Sequence, residues 1–313
     1  MHRFVDLFSG IGGFRLALEK RGLECVYSSD IDRNVQDVYK SNFGEKPDGD
    51  ITEIPEKRIP KHDILCAGFP CQSFSISGKR NGMDDNRGRL FYEIIRIAEY
   101  HKPEVLLLEN VKNILSIDNG KTIKTIEIRL EEAGYTMQKH VLNASYFGIP
   151  QARERVYFVC LRKHSDFEYK LKYSPPKQTN KLIFLKDILD VDVDSGLYIQ
   201  RDDIELTDTS NIEEALKPIR VGIVNKGGQG ERIYSPQGHA ITLSAYGGGV
   251  GAKTGLYLTD KGIRKLSIDE CKKLMGFPKH HIVSNGIEGY KQLGNAVIPD
   301  MVGHVYDSIR VTQ

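Results

Sequence analysis

The sequence predicts an α/β fold, doubly wound around a mostly parallel sheet, with a smaller second unit rich in short strands and loops. Short apolar runs alternate with amphipathic stretches of helical length through the first half of the chain, which is typical of a sheet covered by helices on both faces. After about residue 180 this alternation ends and glycines become frequent. The 313 residues also correspond to about two domains at ~150 residues each.

The apolar runs are short enough to be strands that are buried on both faces. Predicted strands lie at residues 4–8, 25–29, 63–67, 105–108 and 156–161. Predicted helices lie at residues 12–21, 34–42 and 90–101, and Pro103 marks the break before the fourth strand. Because parallel neighbours need a crossover connection of this length, the alternation favours parallel pairing.

The second unit differs from the first in its charge pattern. Residues 181–216 hold 3 basic and 10 acidic side chains, whereas residues 217–280 hold 11 basic and 4 acidic ones. Ten of the 30 glycines fall within residues 217–255. The net charge of +2 is therefore a sum of opposites, and its basic part favours contact with a polyanion such as nucleic acid.

The composition excludes several protein classes. With 40% apolar and 27% charged residues, the chain is typical of globular rather than disordered proteins. The longest aliphatic run, at residues 105–108, is far shorter than the ~18 residues of a membrane span, and no signal peptide is predicted. Five cysteines without a Cys-x-x-Cys pair indicate a reducing compartment, and we expect no metal site.

A glycine-rich turn follows the first predicted strand. Phe8 is followed by Gly10, Gly12 and Gly13, and glycines between a strand and a helix let a ligand approach the backbone closely. The dinucleotide-type pattern is incomplete, so a plain tight turn is the alternative. Asp30 closes the second strand, where its carboxylate could accept hydrogen bonds from a ribose, and this favours a nucleoside ligand.

Chemically useful side chains follow the later strands. Cys71 lies in a polar loop after the third strand, where α/β sheets bind ligands, whereas we expect the other cysteines to be small buried side chains. Glu109 ends the fourth strand, where partial burial would raise its pKa and let it donate a proton; a helix cap is the alternative. Arg153 and Arg155 alternate onto one face and could bind an oxyanion, although ordinary ion pairs would also explain them.

Five motifs in this order and spacing resemble those of the DNA cytosine-5 methyltransferases across the whole chain. They are Asp6-Leu7-Phe8-Ser9-Gly10, Pro70-Cys71-Gln72, Glu109-Asn110-Val111, Gln151-x-Arg153-x-Arg155 and Gly294-Asn295-Ala296-Val297. Residues 227–235 and 240–249 are especially similar to the HhaI type of bacterial restriction–modification enzyme. The resemblance implies the S-adenosylmethionine-dependent methyltransferase fold. It assigns residues 1–185 plus 289–313 to a catalytic and cofactor-binding domain, and residues 186–288 to a target-recognition domain and hinge.

The resemblance also implies a covalent mechanism. Cys71 would add to carbon 6 of cytosine, so that carbon 5 can take the methyl group of S-adenosylmethionine. Glu109 would protonate the ring at nitrogen 3 as charge develops. Arg153 would hold the carbonyl oxygen of the base and favour the Cys71 thiolate, with Arg155 in support. Loss of the carbon 5 proton would then release Cys71.

The expected cofactor site combines residues from both ends of the chain. By resemblance, S-adenosylmethionine contacts Phe8, Gly10, Gly12, Asp30, Ile31, Asp50, Ile51, Leu90, Asn295 and Val297. Two of these depart from the family. Asp30 stands where a glutamate is usual, and Ile31 replaces an aromatic side chain that commonly stacks on adenine.

DNA recognition is implied for the glycine-rich unit, because a cytosine must leave the duplex before Cys71 can reach it. Gln229 resembles the residue that fills the vacated stack and pairs with the orphan guanine, and Arg232 resembles a guanine reader. Ser77 resembles a residue that enters the helix from the opposite side. Thr242 and Tyr246 complete the expected DNA-binding set. The implied site is GCGC, with its first cytosine methylated.

The expected partners follow from this function. They are double-stranded DNA and a cognate restriction endonuclease linked by function, and we expect a monomer in the bacterial cytoplasm without membrane contact. One alternative is a tRNA cytosine-5 methyltransferase of similar core, which the basic second unit argues against. Another is a non-catalytic DNA-binding regulator of the same fold, which the intact Cys71, Glu109 and Arg153 argue against.

Overall fold

The computed structural model describes residues 2–70, 89–163 and 170–312. The chain forms two compact units. Unit 1 comprises residues 1–142, 154–176 and 302–313, and unit 2 comprises residues 143–153 and 177–301. The functional domain bounds expected from the sequence, 1–185 with 289–313 and 186–288, stay a prediction.

Unit 1 is built around a six-stranded sheet. Its strands are β1 (Arg3–Leu7), β2 (Glu24–Ser29), β3 (Ile64–Gly68), β4 (Val105–Val111), β5 (Tyr135–Asn143) and β7 (Glu154–Arg162), in the spatial order β2-β1-β3-β4-β7-β5. A separate antiparallel pair joins β8 (Lys170–Tyr173) to β15 (Ile309–Thr312). The helices of the first half are α1 (Gly13–Glu19), α2 (Arg33–Phe43), α3 (Arg89–His101) and α4 (Lys121–Glu132).

The sheet is mostly parallel, which confirms the predicted α/β class. β1 pairs in parallel with β2 and β3, and β3 pairs in parallel with β4, whereas β4 and β7 are antiparallel. All five predicted strands form, with ends shifted by a few residues. β5 was not predicted, because it has no apolar run. It carries polar residues such as Gln138 and Lys139, and most of its positions are partly or fully exposed.

The core of unit 1 lies between the sheet and α3. Side chains from alternate strand positions pack with the apolar stripe of the helix, among them Val5, Leu7, Leu65, Leu106, Leu108, Phe158, Phe91, Ile94 and Ile97. Each large apolar side chain that is fully buried contributes about 1.5–3 kcal/mol. This core holds the carboxyl ends of β1, β3 and β4 in fixed positions.

Unit 2 is made of short strands, as the sequence predicts. They are β6 (Gln151–Ala152), β9 (Ile204–Leu206), β10 (Ile219–Val224), β11 (Arg232–Ser235), β12 (Ala240–Ile241), β13 (Leu256–Thr259) and β14 (Gly262–Arg264). Five of them form a sheet in the order β14-β13-β11-β10-β9, and β6 pairs with β12. The core of this sheet is small and contains Val221, Val224, Ile233, Leu256 and Ile263.

Three further helices complete the chain: α5 (Ile268–Leu274), α6 (Gly286–Asn295) and α7 (Pro299–Asp307). α5 begins at Ser267, whose hydroxyl accepts a hydrogen bond from the Glu270 backbone amide while Glu270 accepts one from the Ser267 amide. This reciprocal cap satisfies two donors at the helix start. Within the described ranges, no helix combines the length and apolar character that crossing a membrane would require.

Candidate active site and DNA-reading loops

The glycine-rich turn after β1 has a left-handed backbone at Phe8, Gly10 and Gly12. The two glycines differ in their surroundings. A methyl group at Gly12 would overlap the ring of Phe43, whereas one at Gly10 would meet no described atom within 4 Å. Gly12 is therefore required for packing, and Gly10 leaves open space beside the backbone, as a ligand needs.

Asp30 ties this turn to the end of β2. Its carboxylate accepts hydrogen bonds from the backbone amides of Gly10, at 2.8 Å, and Asp32, at 3.0 Å. Burial raises the pKa of the Asp30 carboxyl, and these two donors oppose that rise. The neighbouring Ile31 side chain is 70% exposed. A partly buried acceptor and an exposed apolar side chain thus lie next to each other at the carboxyl end of β2.

The other predicted cofactor residues of unit 1 occupy different environments. Asp50 is partly buried and accepts a hydrogen bond from the Thr52 amide at 2.9 Å. Ile51 is buried in the core, and Leu90 packs against that core from α3 while keeping part of its surface exposed. Their contacts with a cofactor stay a prediction.

Glu109 lies at the carboxyl end of β4 and is 8% exposed. Its Oε1 is 3.1 Å from Nε of Arg155 on the adjacent antiparallel strand β7. Arg155 also donates from Nη1 to the Glu154 carbonyl at 2.8 Å. The register of the two strands therefore places a fixed cation beside a nearly buried carboxylate, at the sheet edge that also carries the glycine-rich turn.

Asn110 links the ends of two neighbouring strands. Its side-chain amide donates to the Phe69 carbonyl at 2.8 Å, and its side-chain oxygen accepts from the Val111 amide at 2.8 Å. Phe69 is two residues before Cys71, which lies outside the described residues, as does Ser77. Asn110 thereby holds the chain that leads to Cys71.

Arg153 is a buried residue of unit 2. Its guanidinium donates to three backbone carbonyls, from Nη1 to Leu243 at 3.4 Å and from Nη2 to Gly294 at 3.0 Å and Ala296 at 2.8 Å. Arg153 thus joins the segment after β12 to the end of α6. Its expected action on a base oxygen stays a prediction, as does the support expected from Arg155.

Gln151 has an anchoring role that the sequence did not reveal. The side chain is fully buried, its oxygen accepts from the Leu243 amide at 3.1 Å, and its nitrogen donates to the Leu274 carbonyl at 3.3 Å. Gln151 is two residues before Arg153, so this part of the motif fixes the C-terminal end of α5 and the segment after β12. The glutamine within this polar motif could have indicated the role, because an amide that becomes buried needs hydrogen-bond partners.

The last motif packs tightly within unit 2. A methyl group at Gly294 would lie 2.6 Å from the Ala245 backbone nitrogen, so only glycine fits there. Asn295 is exposed, and Val297 is buried. The two predicted cofactor residues therefore differ in accessibility.

The predicted DNA-reading residues are mostly exposed on unit 2. Gln229 and Arg232 are exposed, and the Nε of Arg232 donates to the Gly227 carbonyl at 3.2 Å. Tyr246 is 75% exposed. Thr242 is partly buried and its hydroxyl donates to the Ala152 carbonyl. Among the described residues, no group of three or more His, Cys, Asp or Glu side chains is placed to hold a metal ion.

Comparison with known proteins identifies the family. Residues 2–310 match the family described as C-5 cytosine-specific DNA methylase. The type II methyltransferase M.HhaI of Haemophilus parahaemolyticus is 50% identical over 305 residues, which are 97% of this chain and 92% of that protein. M.MspI of Moraxella sp is 38% identical over 98% of this chain and 70% of that protein.

Solved structures show the same fold at low sequence identity. The Dnmt2 methyltransferase of S. pombe superposes with a TM-score of 0.74 at 20% identity, covering 98% of this chain and 97% of that one. The Entamoeba histolytica methyltransferase EhMeth superposes with a TM-score of 0.72 at 17% identity, covering 98% and 97%. From these matches together, this chain belongs to the C-5 cytosine-specific DNA methylase family.

Proposed function

We propose that this enzyme methylates carbon 5 of the first cytosine in the duplex sequence GCGC, through a covalent adduct with Cys71, and so protects DNA from a cognate restriction endonuclease. The observation that carries the proposal is the Glu109–Arg155 pair at the carboxyl end of β4. It lies beside the Asn110–Phe69 hydrogen bond that holds the chain entering the Cys71 loop.

S-adenosylmethionine fits the residues at this sheet edge. The open space beside Gly10 admits a ligand close to the backbone. Asp30 is a partly buried acceptor whose oxygens each keep a further lone pair for ribose hydroxyls, and the exposed Ile31 offers an apolar surface to adenine. When bound, the cofactor supplies an electrophilic methyl group. Asp30 is one methylene shorter than the glutamate that is usual in the family, and its carboxylate also fixes the Gly10 turn.

The protein's own groups carry the chemistry on the base. The Cys71 thiolate forms a bond to carbon 6, and this addition makes carbon 5 nucleophilic. Glu109 donates a proton at ring nitrogen 3, so that negative charge does not accumulate on the base. Arg155 keeps the Glu109 carboxyl oriented toward the base. After methylation, water takes the proton from carbon 5, the carbon–sulfur bond breaks to release the Cys71 thiolate, and ring nitrogen 3 returns its proton to Glu109.

The specificity proposal rests on residues 225–253. Exposed Gln229, Arg232 and Tyr246 lie on glycine-rich loops of a basic segment, and Arg232 carries the forked donor that suits a guanine edge. The 50% identity to M.HhaI supports the transfer of a recognition sequence along with the chemistry.

The test is to express the enzyme in cells that lack cytosine methylation and to map methylated cytosines in the host plasmid. We expect modification at GCGC and resistance of the plasmid to nucleases that cut there. Methylation of another sequence would contradict the specificity alone. Cys71→Ser should abolish transfer, while Cys25→Ser, at a thiol in β2, should preserve it. An active Cys71→Ser enzyme would refute the covalent mechanism, and faster transfer to tRNA than to duplex DNA would refute the substrate.

A further inference from the structure

Two glycine-rich loops of unit 2 pack directly backbone to backbone. We call residues 225–232 loop A and residues 246–253 loop B; loop A carries Gln229 and Arg232, and loop B carries Tyr246. The Gly251 amide donates to the Gly230 carbonyl at 2.7 Å. A methyl group at Gly230 would overlap the Gly248 carbonyl oxygen, and one at Gly249 would lie 3.1 Å from the Gly230 oxygen. The two loops therefore approach as closely as backbones can.

Loop A is also held from within. The Glu231 carboxylate accepts hydrogen bonds from the Asn225 side chain and from the Gly228 amide, both at 2.9 Å. Asn225 in turn accepts from Nη2 of Arg201 at 2.8 Å, and its backbone amide donates to Asp203 at 3.1 Å. These bonds fix the backbone on either side of Gln229, so a shift of Gly230 would also move Gln229.

Loop B has its own internal bonds. The Ser244 amide donates to the Lys253 carbonyl at 2.9 Å, the Lys253 ammonium donates to the Ala245 carbonyl at 2.6 Å, and the Ala252 amide donates to the Gly249 carbonyl at 3.1 Å. Each loop is thus stiff by itself. The contact at Gly230 joins two stiff segments through backbone atoms, which cannot adjust by rotating a side chain.

We propose that the contact of Gly230 with residues 248–251 makes the two loops one rigid recognition element, so that Gly230, Gly249 and Glu231 are positioning residues for sequence discrimination. Gly230 is one residue from Gln229 and two from Arg232, and any displacement of Gly230 moves both. Discrimination between base pairs depends on such placement, because a side chain that misses the correct base edge loses the advantage over a wrong one. This inference rests on the DNA-reading role proposed above.

The test compares three glycine substitutions in the full-length enzyme. Gly230→Ala and Gly249→Ala introduce a methyl group into the contact, whereas Gly22→Ala in unit 1 is the matched control, because Gly22 has a similar positive φ (78°, against 82° and 83°) and its methyl group would meet no described atom within 4 Å. For each variant, kcat/KM is measured on a duplex with the mapped methylation site and on duplexes with one base pair of that site changed. Each wrong base pair typically costs the parent about 5- to 150-fold.

We expect Gly230→Ala and Gly249→Ala to lose about tenfold or more of this discrimination, with the KM for S-adenosylmethionine unchanged and Gly22→Ala equal to the parent. Glu231→Gln should weaken discrimination in the same direction, and combining it with Gly249→Ala should give less than the product of the single effects. If Gly230→Ala does not fold, the milder Gly249→Ala decides.

A folded Gly249→Ala enzyme with parental discrimination would overturn the inference, and so would an equal loss in Gly22→Ala. A parent enzyme that transfers no methyl group to any DNA duplex would instead refute the proposed function. The two failures are therefore distinguishable.

Discussion

The proposed catalytic residues of unit 1 and the proposed recognition loops of unit 2 are positioned by different physical means. Glu109 and Asn110 end a strand whose preceding residues are fully buried in a large apolar core. Loops A and B extend from a five-stranded sheet with a small core, and their shape depends on backbone contacts between glycines and on the Glu231 hydrogen bonds.

The two groups of residues therefore depend on different parts of the fold. Side chains at strand ends inherit their positions from the sheet, so that the chemistry is insensitive to surface changes. Loops A and B take their shape from glycine contacts and a few polar bonds, so changes in them need not disturb a core. Three variants, in order of decreasing expected effect, would break or sharpen the comparison.

Glu109→Gln should have the largest effect. The amide cannot donate a proton as the carboxylic acid does, so we expect kcat to fall by about 10²-fold or more. Binding of the duplex, measured by gel shift, should stay within a few-fold of the parent, since the recognition loops are untouched. Glu154→Gln is the control, because this carboxylate on the same strand as Arg155 is exposed and lies 3.0 Å from the Lys112 ammonium. A Glu109→Gln enzyme with near-parental kcat would contradict the acid role.

Arg264→Ala should be the most damaging change to the framework of unit 2. Arg264 and Glu270 form a two-pronged ion pair at 2.8 and 2.7 Å, with side chains 2% and 0% exposed. Removing one partner leaves a buried charge, and we expect the free energy of unfolding in urea to fall by about 3–5 kcal/mol.

The double change Arg264→Met with Glu270→Met should recover part of this loss, since it buries no charge. Lys261→Ala, in an exposed pair with Asp192, should matter far less. If Arg264→Ala and Lys261→Ala were equally mild, the sheet of unit 2 would not depend on this pair.

Lowering the pH should have the smallest of the three effects, through His62 of unit 1. Burial lowers the pKa of His62 from 6.5 to about 4, so the folded state holds this imidazole neutral. The unfolded chain takes up a proton as the pH falls below about 6.5, and the folded state does so only near 4. The contribution of His62 to the free energy of unfolding is thus fully present above pH 6.5. It is lost as the pH falls toward 4, by at most about 1.4 kcal/mol per pH unit.

His62→Gln should flatten the pH dependence of the urea midpoint over this interval, whereas His280→Gln, at an exposed histidine, should leave it unchanged. An identical slope in the parent and in His62→Gln would show that other groups set the acid sensitivity.

Much of unit 1 follows from local pattern. The strands at β1 to β4 and the helix α3 are visible as apolar runs and an amphipathic stretch, because a buried parallel strand and a core-facing helix each impose their own periodicity on the chain. The motifs around Phe8, Glu109 and Gly294 indicate the family by residue type and order alone.

Other features depend on residues that are far apart in the chain. No local pattern shows that β7 runs antiparallel to β4, yet this direction brings Arg155 to Glu109. The Asn110–Phe69 bond and the carbonyl partners of Arg153 join segments separated by 41 to 143 positions.

The sequence by itself therefore determined the α/β class and the family and indicated the kinds of side chain proposed to carry the chemistry, because these depend on composition, periodicity and motif order. Only the tertiary structure decided that Gly12 serves packing while Gly10 leaves open space, that Asp30 fixes the glycine turn, and that Gly230 locks two loops together. A glycine or a carboxylate has the same letter whether it faces a ligand, a ring or another backbone, and its role is set by the neighbours that folding brings to it.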